Sequence, residues 1–432
     1  MKPDVPSAVD AGTAPTGAPA VVLVGWRPHA ATALHRLGAR VICLSSPAHY
    51  ETARVSPSVD ETLLVADPAG IEQALSALTR AGHSASNVAA VASDDEFTVV
   101  TAATLAQLLG VRGMPVDAAI ALRDKYVQKS VITRIGLPTA RCALADTLEQ
   151  IPLLPVAPPF VVKPVAGAAT ADTFPVLDEE ARQALASPNA TAPTRPGPWL
   201  VETFTQGREL HLDGVVRDGA VTGFGISRYL HNVLALREGK LVGSVGLAPE
   251  RHRDLYAHAR ALTEQALAGL DLRDGVFHLE VFLHEGRLTF SECAGRTGGG
   301  LIREVMGAQF GTSLADGWAR AVLGLSPAPV PAESRDCYGW VQLTAPPGRI
   351  TAMPTAEELL ALPGVVEVRL NVEVGQATPD TSASSFNKAG SVLACGPDEA
   401  TVEERLRAAA AWARAAIQVS PAEPVATVGA SA

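Results

Sequence analysis

Length, composition and charge describe a large globular chain with an acidic balance. It has 432 residues, 47% of them hydrophobic and 19% charged, so it can bury a sizeable core. At roughly 150 residues per domain, the length predicts about three domains. Lys and Arg total 35 against 45 Asp and Glu, a net charge of −10. Because such a chain repels phosphate backbones and anionic headgroups, nucleic acids and membranes are poor candidate partners.

The cysteines and the two ends of the chain carry little chemistry. Five cysteines are scattered without a CxxC pair, which argues against a disulfide framework and a zinc site and favours a reduced, cytoplasmic protein. Residues 1–19 are rich in Ala, Pro, Gly and Thr and lack the apolar run of a signal peptide. We therefore expect a disordered tail there and a second one at 421–432.

The first third of the chain, residues 20–115, alternates predicted strands and helices. This alternation predicts a parallel sheet covered by helices. A dinucleotide-binding domain is disfavoured, because Gly25-Trp26-Arg27-Pro28-His29 follows the first strand without the GxGxxG spacing. The predicted strands are Val21–Val24, Arg40–Leu44, Thr62–Val65 and Asn87–Ala92, and the helices are Ala30–Leu37, Ile71–Arg80 and Phe97–Leu109.

The middle of the chain, residues 116–324, is richer in strands. A helix is predicted over Val116–Ile135, and a strand at Phe160–Lys163 leads into a loop of small residues, Pro164–Thr173. Further strands follow from Trp199, and the glycines Gly298–Gly300 open a helix that runs to about Leu323. Residues 325–420 read as a compact α+β unit.

Two neighbouring apolar strands, Gly275–Leu283 and Arg287–Cys293, each carry an acid. If the connecting loop spans Glu285–Arg287, Glu280 lies directly opposite Glu292; a strict two-residue turn would place it opposite Ser291 instead. Carboxylates that close repel unless a cation bridges them, and Mg²⁺ suits such a pair. The alternative is that each acid simply faces solvent.

Arginines flank the glycine run that follows this hairpin. Free backbone N–H groups at Gly298–Gly300 and the positive end of the helix dipole would point at one spot, bracketed by Arg296 and Arg303. Such a spot suits an anion or a developing oxyanion beside the metal. The alternative is a plain helix cap, in which the glycines supply turn flexibility.

Several short segments, taken in order, resemble ATP-grasp ligases, specifically the carboxylate–amine ligase group that includes the L-amino acid ligases. The segments are Asp124-Lys125 with Leu137-Pro138-Thr139, Phe160-Val161-Val162-Lys163-Pro164, Val201-Glu202-Thr203-Phe204 through Gly207-Arg208-Glu209, His278-Leu279-Glu280, and Ser291-Glu292-Cys293-Ala294-Gly295-Arg296. The resemblance implies a three-domain α/β and α+β architecture. It consists of an N-terminal α/β domain at 20–115, a central ATP-grasp domain at 116–324 with a lid subdomain at about 137–203, and a C-terminal α+β domain at 325–420.

The resemblance also implies how ATP is held. Lys125 and Lys163 would hold the phosphates, as two long cations reaching one pocket would suit a triphosphate. The loop that contains Gly167 would cover the phosphates as a lid. The family's adenine site implies contacts, largely through backbone groups, from Glu202, Thr203 and Phe204. The ribose hydroxyls would donate hydrogen bonds to Glu209.

The remaining implied roles concern the metal and the chemistry. Glu280 and Glu292 would bind Mg²⁺, with Mn²⁺ as an alternative ion. Arg296 would stabilise the acyl phosphate and the tetrahedral adduct, and Arg303 would pair with a substrate carboxylate. Many family members carry Asn as an extra metal ligand where this chain has Ala294, so the resemblance leaves the second metal position open.

The function implied by the resemblance is ATP-dependent ligation. A small-molecule carboxylate, an amino acid or a related metabolite, would be phosphorylated by ATP and joined to an amine, with release of ADP and phosphate. The family also implies a homodimer. The alternatives are a nucleotide-binding protein that has lost catalysis, because Ala294 weakens the metal set, or an ATP-grasp carboxylase or purine-type ligase. Glu96 is either a contact for the amino substrate or an acid at a helix N-terminus.

Overall fold

The computed structural model describes residues 17–168, 170–186, 197–329, 334–378 and 388–420. Most of the first predicted tail and all of the second lie outside these residues, and so does Ala169 in the predicted Pro164–Thr173 loop. Within the described residues, no helix has the length and apolar character needed to cross a bilayer. All five cysteines are free, as predicted.

The N-terminal region forms a parallel four-stranded sheet in the order β3-β2-β1-β4, which confirms the predicted parallel sheet. Strands β1 and β2 are almost completely buried, the edge strand β3 is partly exposed, and helices pack against the sheet. The strands are β1 (Ala20–Val24), β2 (Arg40–Ser45), β3 (Glu61–Leu64) and β4 (Ala90–Ala92), and the helices are α1 (Pro28–Arg36), α2 (Tyr50–Arg54), α3 (Ile71–Arg80) and α4 (Val99–Leu109).

The single helix predicted over Val116–Ile135 is in fact two helices, α5 (Val116–Arg123) and α6 (Lys125–Arg134). Asp124 between them is extended, and its Oδ1 accepts hydrogen bonds from the backbone N–H groups of Tyr126 at 2.8 Å and Val127 at 2.9 Å. This aspartate is a helix N-cap, which periodicity alone does not show. The break places Lys125 at the first position of α6.

A small antiparallel sheet follows, in the order β5-β8-β6-β7. It has its own apolar core, which includes Phe160, Val162, Trp199 and Val201. Lys163 and Glu202 both belong to this sheet. The elements are β5 (Cys142–Ala145), β6 (Phe160–Pro164), β7 (Phe174–Val176), α7 (Glu179–Ala184) and β8 (Trp199–Thr203).

The largest sheet has eight strands in the order β13-β12-β9-β10-β11-β14-β18-β16. The strands are β9 (Arg208–Arg217), β10 (Ala220–Tyr229), β11 (Gly243–Gly246), β12 (Gly275–His284), β13 (Arg287–Ala294), β14 (Cys337–Leu343), β16 (Val365–Leu370) and β18 (Gly390–Gly396). The pairing of β11 with β14 carries the sheet across the proposed boundary at residue 324. The division into a central and a C-terminal domain at residue 324 therefore remains a prediction, and strands from both sides of it belong to one sheet.

The remaining elements cover this sheet or extend its far end. The helices are α8 (Arg253–Gly269), α9 (Ile302–Phe310), α10 (Leu314–Leu323), α11 (Ala356–Leu360) and α12 (Glu399–Ala416). A three-stranded sheet, in the order β17-β15-β19, consists of β15 (Gly348–Ala352), β17 (Ala377–Thr378) and β19 (Gln418–Ser420).

The helix predicted from Gly298 to Leu323 is also wrong in its bounds. It begins only at Ile302, and Gly311, with φ of 64°, ends α9 before α10 starts. Gly298–Gly300 is therefore a loop that precedes the helix. Gly300 has φ of 62°, and a Cβ there would lie 2.2 Å from the ring of Trp340, so both conformation and space require glycine.

The two faces of the β9–β12–β13 region differ in polarity. Leu210, Leu212, Leu279 and Phe290 point to one face and pack in a core with residues of α8. Because side chains alternate along β9 and β12, the intervening residues of these strands point to the other face. On β13, a bulge at Ser291 places Glu292 opposite Glu280 and therefore on that same face. That second face, here called the polar face, consists of Glu209, His211 and Asp213 on β9, His278 and Glu280 on β12, and Glu292 on β13.

Candidate active site

The predicted opposition of Glu280 and Glu292 is confirmed, but by a different route. The hairpin turn has two residues, Glu285 and Gly286, so that His284 pairs with Arg287. This is the turn expected to place Glu280 opposite Ser291. A β-bulge after Glu280 skips Ser291 and restores the pairing of Glu280 with Glu292. The two carboxylates therefore share one face of the hairpin.

Glu292 lies beside two lysines that come from different elements. Its Oε2 is 3.5 Å from Lys125 Nζ and 3.4 Å from Lys163 Nζ. Burial alone would raise the pKa of Glu292, but the attraction of Lys125 and Lys163 outweighs it and holds that pKa well below the usual range. Opposite charges thus converge at one edge of the polar face.

One buried amide fixes α6 against the strand that carries Glu292. Gln128 Nε2 donates to the carbonyl oxygen of Cys293 at 2.6 Å, and the Cys293 N–H donates to Gln128 Oε1 at 2.8 Å. Cys293 itself points into the core. Because Gln128 lies between Lys125 and Lys129 on α6, this clamp sets the position of both lysines.

Glu202 has a partner that the sequence analysis missed. Its carboxylate lies between Lys163, at 2.7 Å, and Lys129, at 2.9 Å. Burial would raise the pKa of Glu202, yet Lys129 and Lys163 lower it to about 2. Lys129 is only 2% exposed, and burial lowers its own pKa. Lys129 follows Lys125 by one helical turn, and this spacing in the sequence could have indicated that both lysines lie on the same side of α6.

The backbone and loop contacts near the predicted nucleotide site are also defined. The N–H groups of Thr203 and Phe204 donate to the carbonyls of Arg141 at 2.9 Å and Pro159 at 3.1 Å. These two amides are therefore engaged within the protein. The Gly167 carbonyl accepts from Lys125 Nζ at 3.1 Å and from Arg123 Nη1 at 3.1 Å, which ties the loop after Lys163 to α5 and α6.

Glu209, the predicted ribose ligand, is buried on the polar face. The Val233 N–H donates to its Oε2 at 2.7 Å. Burial, reinforced by the nearby Glu280 carboxylate, raises the pKa of Glu209 to about 8. It is therefore protonated at neutral pH in the absence of a bound cation.

A chain of hydrogen-bonding groups crosses the rest of the polar face. Asp213 Oδ1 is 2.8 Å from His278 Nδ1, and Asp213 Oδ2 is 2.5 Å from His211 Nδ1. The Tyr229 hydroxyl donates to Glu280 Oε1 at 2.9 Å. His211, Asp213 and Tyr229 were not predicted. The signal was the alternation Glu209, His211, Asp213 in an otherwise apolar strand, which matches the alternation of His278 and Glu280.

Arg296 is held by the N-terminal region. Its Nε donates to Glu96 Oε2 at 2.5 Å, and its Nη1 donates to the Thr297 carbonyl at 2.8 Å. Thr297 in turn donates its N–H and its hydroxyl to the two oxygens of Asp94, at 2.8 and 2.7 Å. Asp94 and Glu96 thus fix the start of the glycine loop, and Glu96 has a contact that neither sequence interpretation included.

Arg303 has different surroundings. Its Nη2 is 3.5 Å from Glu304 Oε1, which also accepts a hydrogen bond from Arg369 at 2.6 Å. Arg303 therefore lies beside an ion pair between α9 and β16, whereas Arg296 pairs with the N-terminal region. Arg296 and Arg303, which were predicted to bracket one spot, therefore have different partners: Glu96 and Thr297 for Arg296, and Glu304 for Arg303.

The residues present suit a divalent cation bound to a triphosphate. Two opposed carboxylates, Glu280 and Glu292, offer hard oxygen ligands, and two lysines stand ready for phosphate oxygens. Without a cation, Glu292 is satisfied by the lysines alone. The donor set therefore fits Mg²⁺ or Mn²⁺ with ATP.

Comparisons with known proteins agree with this geometry. Residues 331–418 match a family model described as L-amino acid ligase C-terminal domain 2. An L-arginine-specific L-amino acid ligase from Bacillus subtilis is 25% identical over 307 residues, covering 69% of this chain and 73% of that protein. The crystal structure of an L-amino acid ligase from Bacillus licheniformis superposes with a TM-score of 0.75 at 17% identity, covering 93% of this chain and 99% of that one.

A second structural neighbour was solved with nucleotide. Carboxyaminoimidazole ribonucleotide synthase from Aspergillus clavatus, complexed with ATP, gives a TM-score of 0.69 at 18% identity, covering 92% of this chain and 99% of that one. The chain therefore has the ATP-grasp fold. The C-terminal match and the ligase relative, taken together, point to an ATP-dependent carboxylate–amine ligase, an ADP-forming enzyme that makes a C–N bond.

Proposed function

We propose that this ligase joins the carboxylate of an amino acid, or a closely related small acid, to an amine through an acyl phosphate. The opposition of Glu280 and Glu292 beside Lys125 and Lys163 carries the proposal, because it concentrates metal ligands and phosphate-binding cations at one place. The ligases from the two Bacillus species support an amino acid as substrate, since both names specify one.

At the phosphate end, the protein's task is to neutralise and position charge. A divalent ion held by Glu280 and Glu292 would neutralise phosphate oxygens and favour transfer of the γ-phosphoryl group. Lys125 and Lys163 would leave Glu292 and bind the same phosphate oxygens. The free-energy cost of breaking these ion pairs would be small, because the divalent ion would then neutralise the Glu292 carboxylate. Glu209 would accept from the ribose. The Pro164–Thr173 loop, tied to Arg123 and Lys125 through Gly167, would exclude water from the acyl phosphate.

The reaction itself consists of two substitutions in turn, one at phosphorus and one at the carbonyl carbon. A carboxylate oxygen attacks the γ-phosphorus and ADP leaves. The amine then attacks the carbonyl carbon, loses a proton, and expels phosphate that carries the former carboxylate oxygen. Arg296, held by Glu96 and Thr297, is preorganised to neutralise the negative charge on the tetrahedral adduct.

Arg303 is proposed to bind the carboxylate that does not react. It lies at the start of α9, immediately after the glycine loop, and Arg369 adds a second guanidinium to the same neighbourhood. A guanidinium binds a carboxylate through paired hydrogen bonds. An amine substrate that is itself an amino acid would present such a group.

We also propose a homodimer, which analytical ultracentrifugation would test.

The proposal is tested by measuring ADP and phosphate release with pairs of amino acids. Both an acid and an amine must be present for steady release, in a one-to-one ratio with the amide product. Release of AMP would contradict the proposal, and so would steady ADP formation without an amine. Omission of each substrate in turn is the internal control.

A further inference from the structure

His278 occupies the corner of the polar face next to the proposed metal ligands. It lies two residues before Glu280 on β12, so both side chains point to the same face. Across the hairpin it pairs with Ala294, which offers no ligand atom, and on the other side it pairs with Asp213 of β9. A metal bound between Glu280 and Glu292 would therefore have an imidazole as its next neighbour along the strand.

The distances suit an imidazole and a carboxylate that bind one ion. His278 Nε2 is 3.5 Å from Glu280 Oε1. Adjacent ligands of an octahedral ion with bonds of about 2.1 Å lie about 3 Å apart, so a small approach would bring both atoms to one cation. At 3.5 Å the same two atoms make a poor hydrogen bond. The side chain of His278 is 10% exposed.

The opposite nitrogen of His278 has the partner that metal-binding histidines usually have. Its Nδ1 is 2.8 Å from Asp213 Oδ1, and a carboxylate in this position fixes the ring and leaves Nε2 to face the ion. Asp213 Oδ2 is 2.5 Å from His211 Nδ1, and His211 Nε2 is 2.8 Å from Ser244 Oγ. Ring orientation is thus set by a buried chain that reaches β11.

The same contacts decide where the ion lies. His211, Asp213 and His278 are close enough together to enclose a cation themselves. Both oxygens of Asp213, however, are taken by the two Nδ1 atoms, so an ion among these three would break both contacts. Tyr229 donates to Glu280 Oε1 and orients that carboxylate beside His278. The ion is therefore placed at Nε2, on the Glu280 side.

We infer that His278 is a third protein ligand of the ion bound by Glu280 and Glu292, with Asp213 as the residue that orients its ring. The inference rests on the proposed function, since it places the ion at the same pair of acids. An imidazole ligand favours first-row transition ions over Mg²⁺. His278 would thus take the place of a ligand that Ala294 lacks and bias the site toward Mn²⁺.

The decisive measurement is pulsed electron paramagnetic resonance of Mn²⁺ bound to the full chain with ADP. Two protein samples are compared, one unlabelled and one grown with nitrogen-15 histidine. A directly bound imidazole gives a nitrogen coupling that changes from the nitrogen-14 to the nitrogen-15 pattern. Bound Mn²⁺ with no histidine coupling would overturn the inference and leave the acid pair intact. Failure of Mn²⁺ to bind at all, with or without ADP, would overturn the proposed function as well.

Variants give an independent reading of the same ligand. His278→Leu should weaken Mn²⁺ binding in the presence of ADP by tenfold or more, and Asp213→Asn by about tenfold, as measured by titration of free Mn²⁺. The preference for Mn²⁺ over Mg²⁺ should fall in His278→Leu. His258→Leu, on the exposed side of α8, is the matched control and should change neither quantity. Unchanged Mn²⁺ affinity in a folded His278→Leu protein would contradict the inference.

Discussion

The two ends of the active site are built in different ways. At the phosphate end, three lysines and two glutamates from α6, the small sheet and the large sheet form ion pairs with one another. They are Lys125, Lys129, Lys163, Glu202 and Glu292. At the carbonyl end, Arg296 and Thr297 are held by Glu96 and Asp94, about 200 residues earlier in the chain. The first end is a self-compensated charge cluster, and the second depends on how the N-terminal sheet docks.

Because of this difference, we expect substitutions at the two ends to impair different steps. Loss of a charge at the phosphate end should weaken nucleotide and metal binding, because the charged side chains there compensate one another. Loss of a charge at the carbonyl end should leave nucleotide binding intact and slow amide formation. Variants at both ends should be measured with the same binding and rate assays. If variants at both ends lose nucleotide binding equally, the two ends are not independent.

The largest effect is expected for Glu292→Gln. It removes one of the two proposed carboxylate ligands of the metal and leaves Lys125 without its carboxylate, while Lys163 keeps only Glu202, so the rate of ADP formation should fall by about 10³-fold or more. Steady-state ADP release checks this. Glu264→Gln, at an exposed ion pair on α8, is the control and should keep full activity. Retained activity in Glu292→Gln would contradict the metal assignment.

Arg296→Met should lower kcat by roughly 10²- to 10³-fold, because a preorganised cation at the carbonyl is lost. ATP affinity, measured by equilibrium titration, should stay within about twofold of the parent protein. This variant sharpens the comparison between the ends most directly. An equal loss of ATP affinity would mean that Arg296 serves the phosphates and that the two ends are one.

Lys129→Met tests the compensation within the charge cluster. It removes one of the two lysines that contact Glu202 among the described residues and leaves Lys163, so the free energy of unfolding should fall by about 1–3 kcal/mol. Chemical denaturation measures this. Adding Glu202→Gln to the same chain should cost less than the sum of the two single changes, because the pair is then removed together. Strict additivity would show that the two side chains do not interact.

The smallest effect is a pH dependence from Glu209. Its pKa of about 8 in the folded protein exceeds the usual 4.5, so between these values the folded state holds a proton that the unfolded state has lost. Stability should therefore fall as pH rises through this window. Glu209→Gln should remove that slope and melt a few degrees higher than the parent at pH 8, in the presence of chelator. Parallel melting curves for the two proteins from pH 5 to pH 8 would contradict the buried, protonated carboxyl.

Local patterns predicted much of the fold and part of the site. The alternation of strand and helix gave the N-terminal parallel sheet, and acids in apolar strands gave the pairing of Glu280 with Glu292. The route to that pairing was not predictable, since a bulge at Ser291 corrected a turn that alone would have misaligned the strands. Asp124 and Gly311 divided two helices that periodicity had joined.

The remainder depended on long-range contacts. A lysine such as Lys129 is usually solvated, and it is buried here only because Gln128 clamps α6 to β13 and Glu202 reaches over from the small sheet. The links from Asp94 and Glu96 to residues 296 and 297 join distant parts of the chain, and no spacing in the sequence specifies them. Residue type identified the candidate groups, and docking decided their partners.

The central claim is that a substrate carboxylate is phosphorylated by ATP at the Glu280–Glu292 pair before the amine attacks. The most direct measurement uses an amino acid labelled with oxygen-18 in its carboxylate and follows the label by mass spectrometry of the products. One labelled oxygen is expected in each inorganic phosphate released with ADP. Unlabelled phosphate, or label recovered in AMP, would contradict it.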